Sequence, residues 1–209
     1  FSSNAPTLLY YSHIPVIVIA VLFGFLIIAN NKKAILNRLL LFISLAFSGW
    51  LILDLIQWTT NVPEIAIFTW SLAILLEVLV FSAVLYLVSV FSYGKDISLR
   101  KKITIGILLL PIVLALPTQY LLQGVVLADC SVFEGPIATY YTYALELTFV
   151  LWILFVCTRA FRKAEAQFKK QIILIGAGSI LFLMAFSYGN IIGSITENWE
   201  LAQVGIFGM

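Results

Sequence analysis

Long apolar runs separated by short polar segments set the plan of this chain. The runs cover residues 8–29, 39–59, 65–91, 103–123, 137–158 and 172–195, and another opens over 201–209. Crossing the hydrocarbon core of a bilayer takes about 20 apolar residues, and each of the first six runs is long enough. The pattern predicts an all-α fold: a polytopic transmembrane helix bundle of six full helices plus the start of a seventh. Residues 1–209 form a single transmembrane domain. Pro15 falls in an end turn of the first helix. Pro111 and Pro117 predict a kinked fourth helix, because proline removes a backbone hydrogen bond. Residues 61–64 make a tight turn, and 124–136 form the longest loop. The basic linker 159–171 carries charges at helical spacing and extends the fifth helix. No internal repeat or inverted pair of broken helices is present, which weighs against a transporter.

Composition agrees with this plan. The chain is 62% hydrophobic and 11% charged, with a mean hydropathy of +1.08. A soluble domain is nearer half apolar and a quarter charged. Charge placement adds direction. All twelve Lys and Arg lie in three clusters: Lys32 to Arg38, Lys95 to Lys102, and Arg159 to Lys170. The intervening loops hold Glu64, Asp129, Glu134, Glu197 and Glu200 and no base. Lys and Arg in short loops face the cytoplasm, so the N-terminus is predicted outside a multi-pass cell-membrane protein. The basic clusters are topology anchors beside anionic lipid, and nucleic acid is excluded as a partner. Cys130 and Cys157 fall near opposite ends of the bundle, which rules out a disulfide between them. The chain opens at Phe1 and closes as an apolar segment begins, as expected for a piece of a longer protein. Lys32 and Lys33 follow the first apolar run, the reverse of a signal peptide's charge order.

Candidate chemistry resides in three acids within apolar runs: Asp54, Glu77 and Glu146. An intramembrane carboxylate costs about 2.5–3.5 kcal/mol on insertion scales, so it faces the bundle interior and finds a partner. Trp50, Asp54 and Trp58 are spaced by four and share one helix face, with Gln57 and Asn61 alongside. Glu77 shares a face with Trp70, Ile74 and Phe81. Tyr143 lies one turn from Glu146. Asp54 and Glu146 fall in the outer half, remote from every Lys and Arg, and Glu77 is nearer the middle. Partners within reach are other acids, amides, hydroxyls, indole N–H groups, His13, water or a cation. Two readings stand: interior locks between helices, or the lining of an outer-half cavity that binds a small ligand or senses protons. The candidate sensing residues are Asp54, Glu77, Glu146, Trp50, Trp58 and Tyr143. His13, the single histidine, is read as a polar helix end, and it gives no metal site by itself. Tyr10, Tyr11, Trp58, Tyr120, Tyr140, Tyr141 and Trp199 form an aromatic interface belt. No catalytic motif, cofactor motif or metal-ligand spacing is present.

Three stretches carry a family resemblance. LFISLAFSGW, residues 41–50, places small residues before a Trp. Residues 68–92 pass an aromatic face before a basic loop. RKAEAQFKKQIILIGAG, residues 162–178, runs a basic linker into a Gly-containing helix. Together they resemble the seven-transmembrane N-terminal sensor region of membrane histidine kinases. The resemblance implies a transmembrane sensor or receptor module in a two-component system, coupling an outer or intramembrane stimulus to cytoplasmic output domains beyond residue 209. It also implies a homodimer. Membrane lipids and a small ligand, cation or proton are the expected partners. The alternatives are a small transporter or proton-linked channel, in which the three acids form a relay, or a structural subunit of a membrane complex. A retinal-binding seven-helix protein is a further reading.

Overall fold

The structure is a computed structural model that describes residues 8–126 and 131–196, with the side chains of Ser131 and residues 190–196 outside the description. The helices are α1 (Leu8–Asn30), α2 (Ile35–Thr59), α3 (Pro63–Tyr93), α4 (Leu99–Ala115), α5 (Tyr143–Lys163) and α6 (Ala166–Thr196). A hairpin of β1 (Leu122–Val126) and β2 (Ser131–Glu134) and a π-helical turn (Ile137–Thr142) lie between α4 and α5. Five of the helical segments are long and apolar enough to cross a membrane, which makes this a multi-pass membrane protein. The seventh helix expected over 201–209, with Asp129, Cys130, Glu197, Trp199 and Glu200, lies outside the described residues.

The first three helices form as their apolar runs predict, and their junctions are tied by specific groups. At the α1–α2 turn Asn37 Nδ2 donates to Ile27 O at 3.0 Å and Asn31 O at 3.1 Å, satisfying carbonyls that α1 leaves open. Gly24 lets α1 approach closely, since a Cβ there would lie 3.0 Å from Ser44 Cβ. Pro63 opens α3, where a missing N–H costs nothing. Gly94 closes α3 at φ 64°, a left-handed cap that glycine adopts without strain.

α3 is the axis of the bundle. In its most apolar stretch 67% of residues are buried, against 17% in α1. Val78, Phe81, Leu85 and Val88 line its buried length and meet Leu51, Phe149, Ile153, Leu183 and Phe186. Phe186 of α6 lies against four aromatic rings: Trp50 edge-on at 4.7 Å, Phe47 at 5.6 Å, Phe81 at 6.2 Å and Phe182 at 6.3 Å. Such ring pairs add to burial through the aromatic quadrupole.

The fourth helix departs from expectation. It has 17 residues and ends before Pro117, where a kinked helix was predicted to run on to residue 123. Leu116 keeps helical angles (φ −45°, ψ −46°), but Pro117 has no N–H with which to continue the ladder, so it stops this helix instead of bending it. The chain then turns through Thr118 and forms the hairpin where a loop was expected. Leu122 pairs with Glu134 and Val125 with Val132, with a bulge between Leu122 and Gly124. Gly135 is required at its exit: a Cβ would lie 2.2 Å from Tyr120 O. Gly135 N–H instead donates to Leu121 O at 2.8 Å. The expected fifth helix begins as the π-helical turn, and Tyr141 Oη donates to Leu108 O at 2.7 Å, bracing α4 against it. The basic linker also differs. Ala164 is extended (φ −79°, ψ 150°), so the chain breaks there and α6 starts earlier than predicted.

Candidate functional site

Successive helices alternate in direction, so the basic loops gather at one end of the bundle and the hairpin lies at the other. The hairpin half holds the polar interior. His13 is fully buried on α1, and its Nε2 lies 2.7 Å from Asp54 Oδ2 on α2. Asp54 itself is 17% exposed. The other ring nitrogen, Nδ1, lies 2.9 Å from Leu9 O and 2.9 Å from Ser12 Oγ, while Ser12 donates its own proton to Leu9 O at 2.9 Å. Nδ1 thus sits against Leu9 O and Ser12 Oγ while Nε2 meets the Asp54 carboxyl, so both ring nitrogens are engaged. His13 is not the polar helix end that its position near residue 8 suggested. It is the interior partner of Asp54.

The second cluster joins α3, α5 and α6. Glu146 Oε2 accepts from Ser187 Oγ at 3.0 Å. The carboxyl of Glu146 also lies beside that of Glu77. Both residues are buried, Glu77 5% and Glu146 4% exposed. Two ionised carboxylates side by side in such a site would repel, and a shared proton would relieve the contact. Glu146 Oε1 receives no N–H or O–H from any other side chain among the described residues. Losing the shared proton would place like charges at contact distance in a low-dielectric interior, where they repel strongly.

A third polar contact closes the hairpin end. Trp70 Nε1 donates to Glu134 Oε1 at 3.3 Å and Thr139 Oγ1 to Glu134 Oε2 at 3.4 Å. Burial pushes the Glu134 carboxyl above the ordinary range, opposed by those two hydrogen bonds.

The six expected sensing residues thus divide. Glu77 and Glu146 come together. Asp54 is held separately by α1. Trp50 packs on Phe186, and Trp58 is buried rather than part of the interface belt, whereas Tyr11, Tyr120 and Tyr140 are exposed. Tyr143 is half-buried. A cavity of about 570 Å³ lies elsewhere, toward the basic end, and none of the six lines it. Sequence reasoning missed Ser187 and Glu134, and it named His13 only as one of several partners within reach of the acids. Depth was a usable signal: His13 is five residues from the start of α1, and Asp54 five from the end of α2. Among the described residues no group of His, Cys, Asp and Glu could hold a metal ion. No protein-family model, no curated protein and no solved structure matches this chain.

Two measurements follow from this geometry. His13→Ala leaves Asp54 without its partner and is expected to destabilise by on the order of 3 kcal/mol. In a double-mutant cycle with Asp54→Ala, followed by thermal unfolding in detergent, the double variant should lose clearly less than the two singles added. Additive losses would show that the pair is not coupled.

Glu134 gives the hairpin a pH dependence of definite sign. Its raised folded value favours the protonated acid in the docked state, so docking is strongest below the ordinary Glu range. It weakens as pH rises through the raised value. Amide exchange over residues 122–134 should therefore speed up with pH beyond its intrinsic rise. Glu134→Gln, which keeps an acceptor for Trp70, should abolish that excess.

Proposed function

We propose that this chain is the transmembrane sensor module of a signal-transducing histidine kinase, responding to protons from the outer side of the cell membrane. In this reading the basic loops are cytoplasmic and the N-terminus is outside. A seventh helix opening at residue 201 completes the module and leads to cytoplasmic output domains, and the module works as a homodimer. The observation that carries the reading is the Glu77–Glu146 pair, two carboxyls side by side in the core and distant in sequence from every basic cluster. It joins the axial helix to α5 and, through Ser187, to α6.

The mechanism is a population shift. With its shared proton the pair holds α3, α5 and α6 together. Without it, repulsion favours an arrangement in which α5 and α6 move off α3. The His13–Asp54 contact does the same work between α1 and α2. Net acidic outer loops favour a proton or cation over an anion at this end. The partition of all twelve basic residues to one end supports the orientation.

Orientation is checked by labelling single introduced cysteines in intact cells. A cysteine beside Lys101 should resist a membrane-impermeant reagent, and one beside Glu64 should react. Labelling at Lys101 would invert the topology.

Function is checked in the full-length protein, reconstituted so that outside pH can be stepped while autophosphorylation is read. Glu146→Gln and Asp54→Asn should insert normally and change the pH response by about fivefold or more. If both variants insert and respond as the parent does, or if the parent has no kinase output, the proposal fails.

A further inference from the structure

The cavity near the basic end has an arrangement that the sensing proposal does not use. It lies between α1 and α6, floored by α2 and α3, with Ala20, Phe23, Ser44, Phe47, Gly178 and Phe182 among its walls. Its volume, about 570 Å³, is that of a small-molecule site. The walls are apolar except for the hydroxyls of Ser44 and Ser179. Most wall residues belong to the half of their helix nearer the basic loops, with Val16, Ile19, Phe47 and Phe182 at or just past the helix midpoints. Ile43 and Phe47 on its floor are buried while Ile19, Phe23 and Leu174 at its rim are exposed, so the groove opens away from the core.

Charge selects the occupant. At the basic end several cations are already engaged. Lys102 pairs with Asp96 at 2.6 Å, Lys101 lies over Tyr93, and Lys169 lies over Phe161. Lys170 has no acidic or aromatic partner among the described residues, and it precedes the wall residue Leu174 by one helical turn. Lys32 and Lys33 are likewise unpaired and exposed, in the turn just beyond the walls that α1 and α2 supply. An apolar slot with uncommitted lysines at its end matches one ligand chemistry: an alkyl chain joined to an anionic head.

We propose that this groove is a specific binding site for an anionic phospholipid of the basic-side leaflet. One acyl chain lies between α1 and α6, and the phosphate is held by Lys170, Lys32 and Lys33. The site rests on the membrane reading of the chain but not on kinase output or orientation.

Two positions allow a clean test. A Cβ at Gly178 meets nothing within 4 Å, so a large side chain enters the groove without striking the bundle. Gly106 on α4 is equally open but away from the groove, and serves as a control. The full chain is placed in nanodiscs of mixed phosphatidylglycerol and phosphatidylcholine, extracted, and its bound lipid counted by native mass spectrometry. The parent should retain phosphatidylglycerol in preference to phosphatidylcholine. Gly178→Phe should lower retention about tenfold, and Gly106→Phe should leave it unchanged. Ala20→Phe, from the opposite wall, repeats the occlusion if Gly178→Phe fails to insert. Neutralising Lys170, Lys32 or Lys33 to Gln should each weaken the preference for the anionic lipid up to about fivefold. Retention unchanged by both occluding variants overturns the proposal, as does equal retention of the two lipids. Cross-linking of an Ala20→Cys protein to a second copy, or to a cysteine introduced in the segment from residue 201 onward, would overturn it too, by showing protein in the slot. Both leaflets carry the anionic lipid in this assay, so its failure is separate from any failure of the topology or of signalling.

Discussion

A bilayer offers no water to a polar side chain, and this constraint organises the interior. Each acid within an apolar run must be answered by another group of the same chain or remain an expensive charge. Glu77 is answered by Glu146, Glu146 by Ser187, and Asp54 by His13. None of these partners is a neighbour in sequence, so each contact fixes one helix against another. α3 becomes the axis because it carries Glu77 within a helix that is buried over most of its length. Non-directional packing alone would leave helix rotation weakly defined, since lipid tails are as apolar as the helix faces. The polar contacts supply the directional terms.

The two halves of the bundle differ in kind. The hairpin half holds the buried carboxyls and the imidazole, and there Trp70 and Thr139 donate hydrogen bonds to Glu134. The basic half has an apolar groove and lysines that the protein does not neutralise.

The hydropathy pattern made the helices legible because spanning length is a constraint on sequence itself. The boundaries of α1, α2 and α3 fall within a few residues of those read from the apolar runs. The segment from 116 to 142 was not legible. A proline that could kink or stop a helix, a short hairpin and a π-helical turn all depend on neighbours the local sequence does not name: Tyr120 O against Gly135, and Leu108 O against Tyr141. The same limit applied to the site. That Asp54, Glu77 and Glu146 lie in apolar runs was readable. Which of them meet was not, because partners 41 residues apart are set by helix rotation rather than by composition. His13 was misread for this reason: near a helix end it looks interfacial until α2 is rotated to face it.

One stretch of α6 links the two halves. Ser187 touches Glu146, and its neighbour Phe186 is the centre of the aromatic cluster on α2 and α3. One turn away Phe182 meets Phe47 edge-on at 5.6 Å, and both rings form walls of the groove. Within six residues α6 thus contacts the Glu77–Glu146 pair, the aromatic core and the proposed lipid slot. Close-packed rings transmit displacement because they cannot compress. If repulsion at Glu146 shifted α6 as proposed, the groove would change width, and a lipid filling it would resist that shift. The two proposed sites would be linked with reciprocal effect: lipid that favours the closed groove also favours the protonated pair.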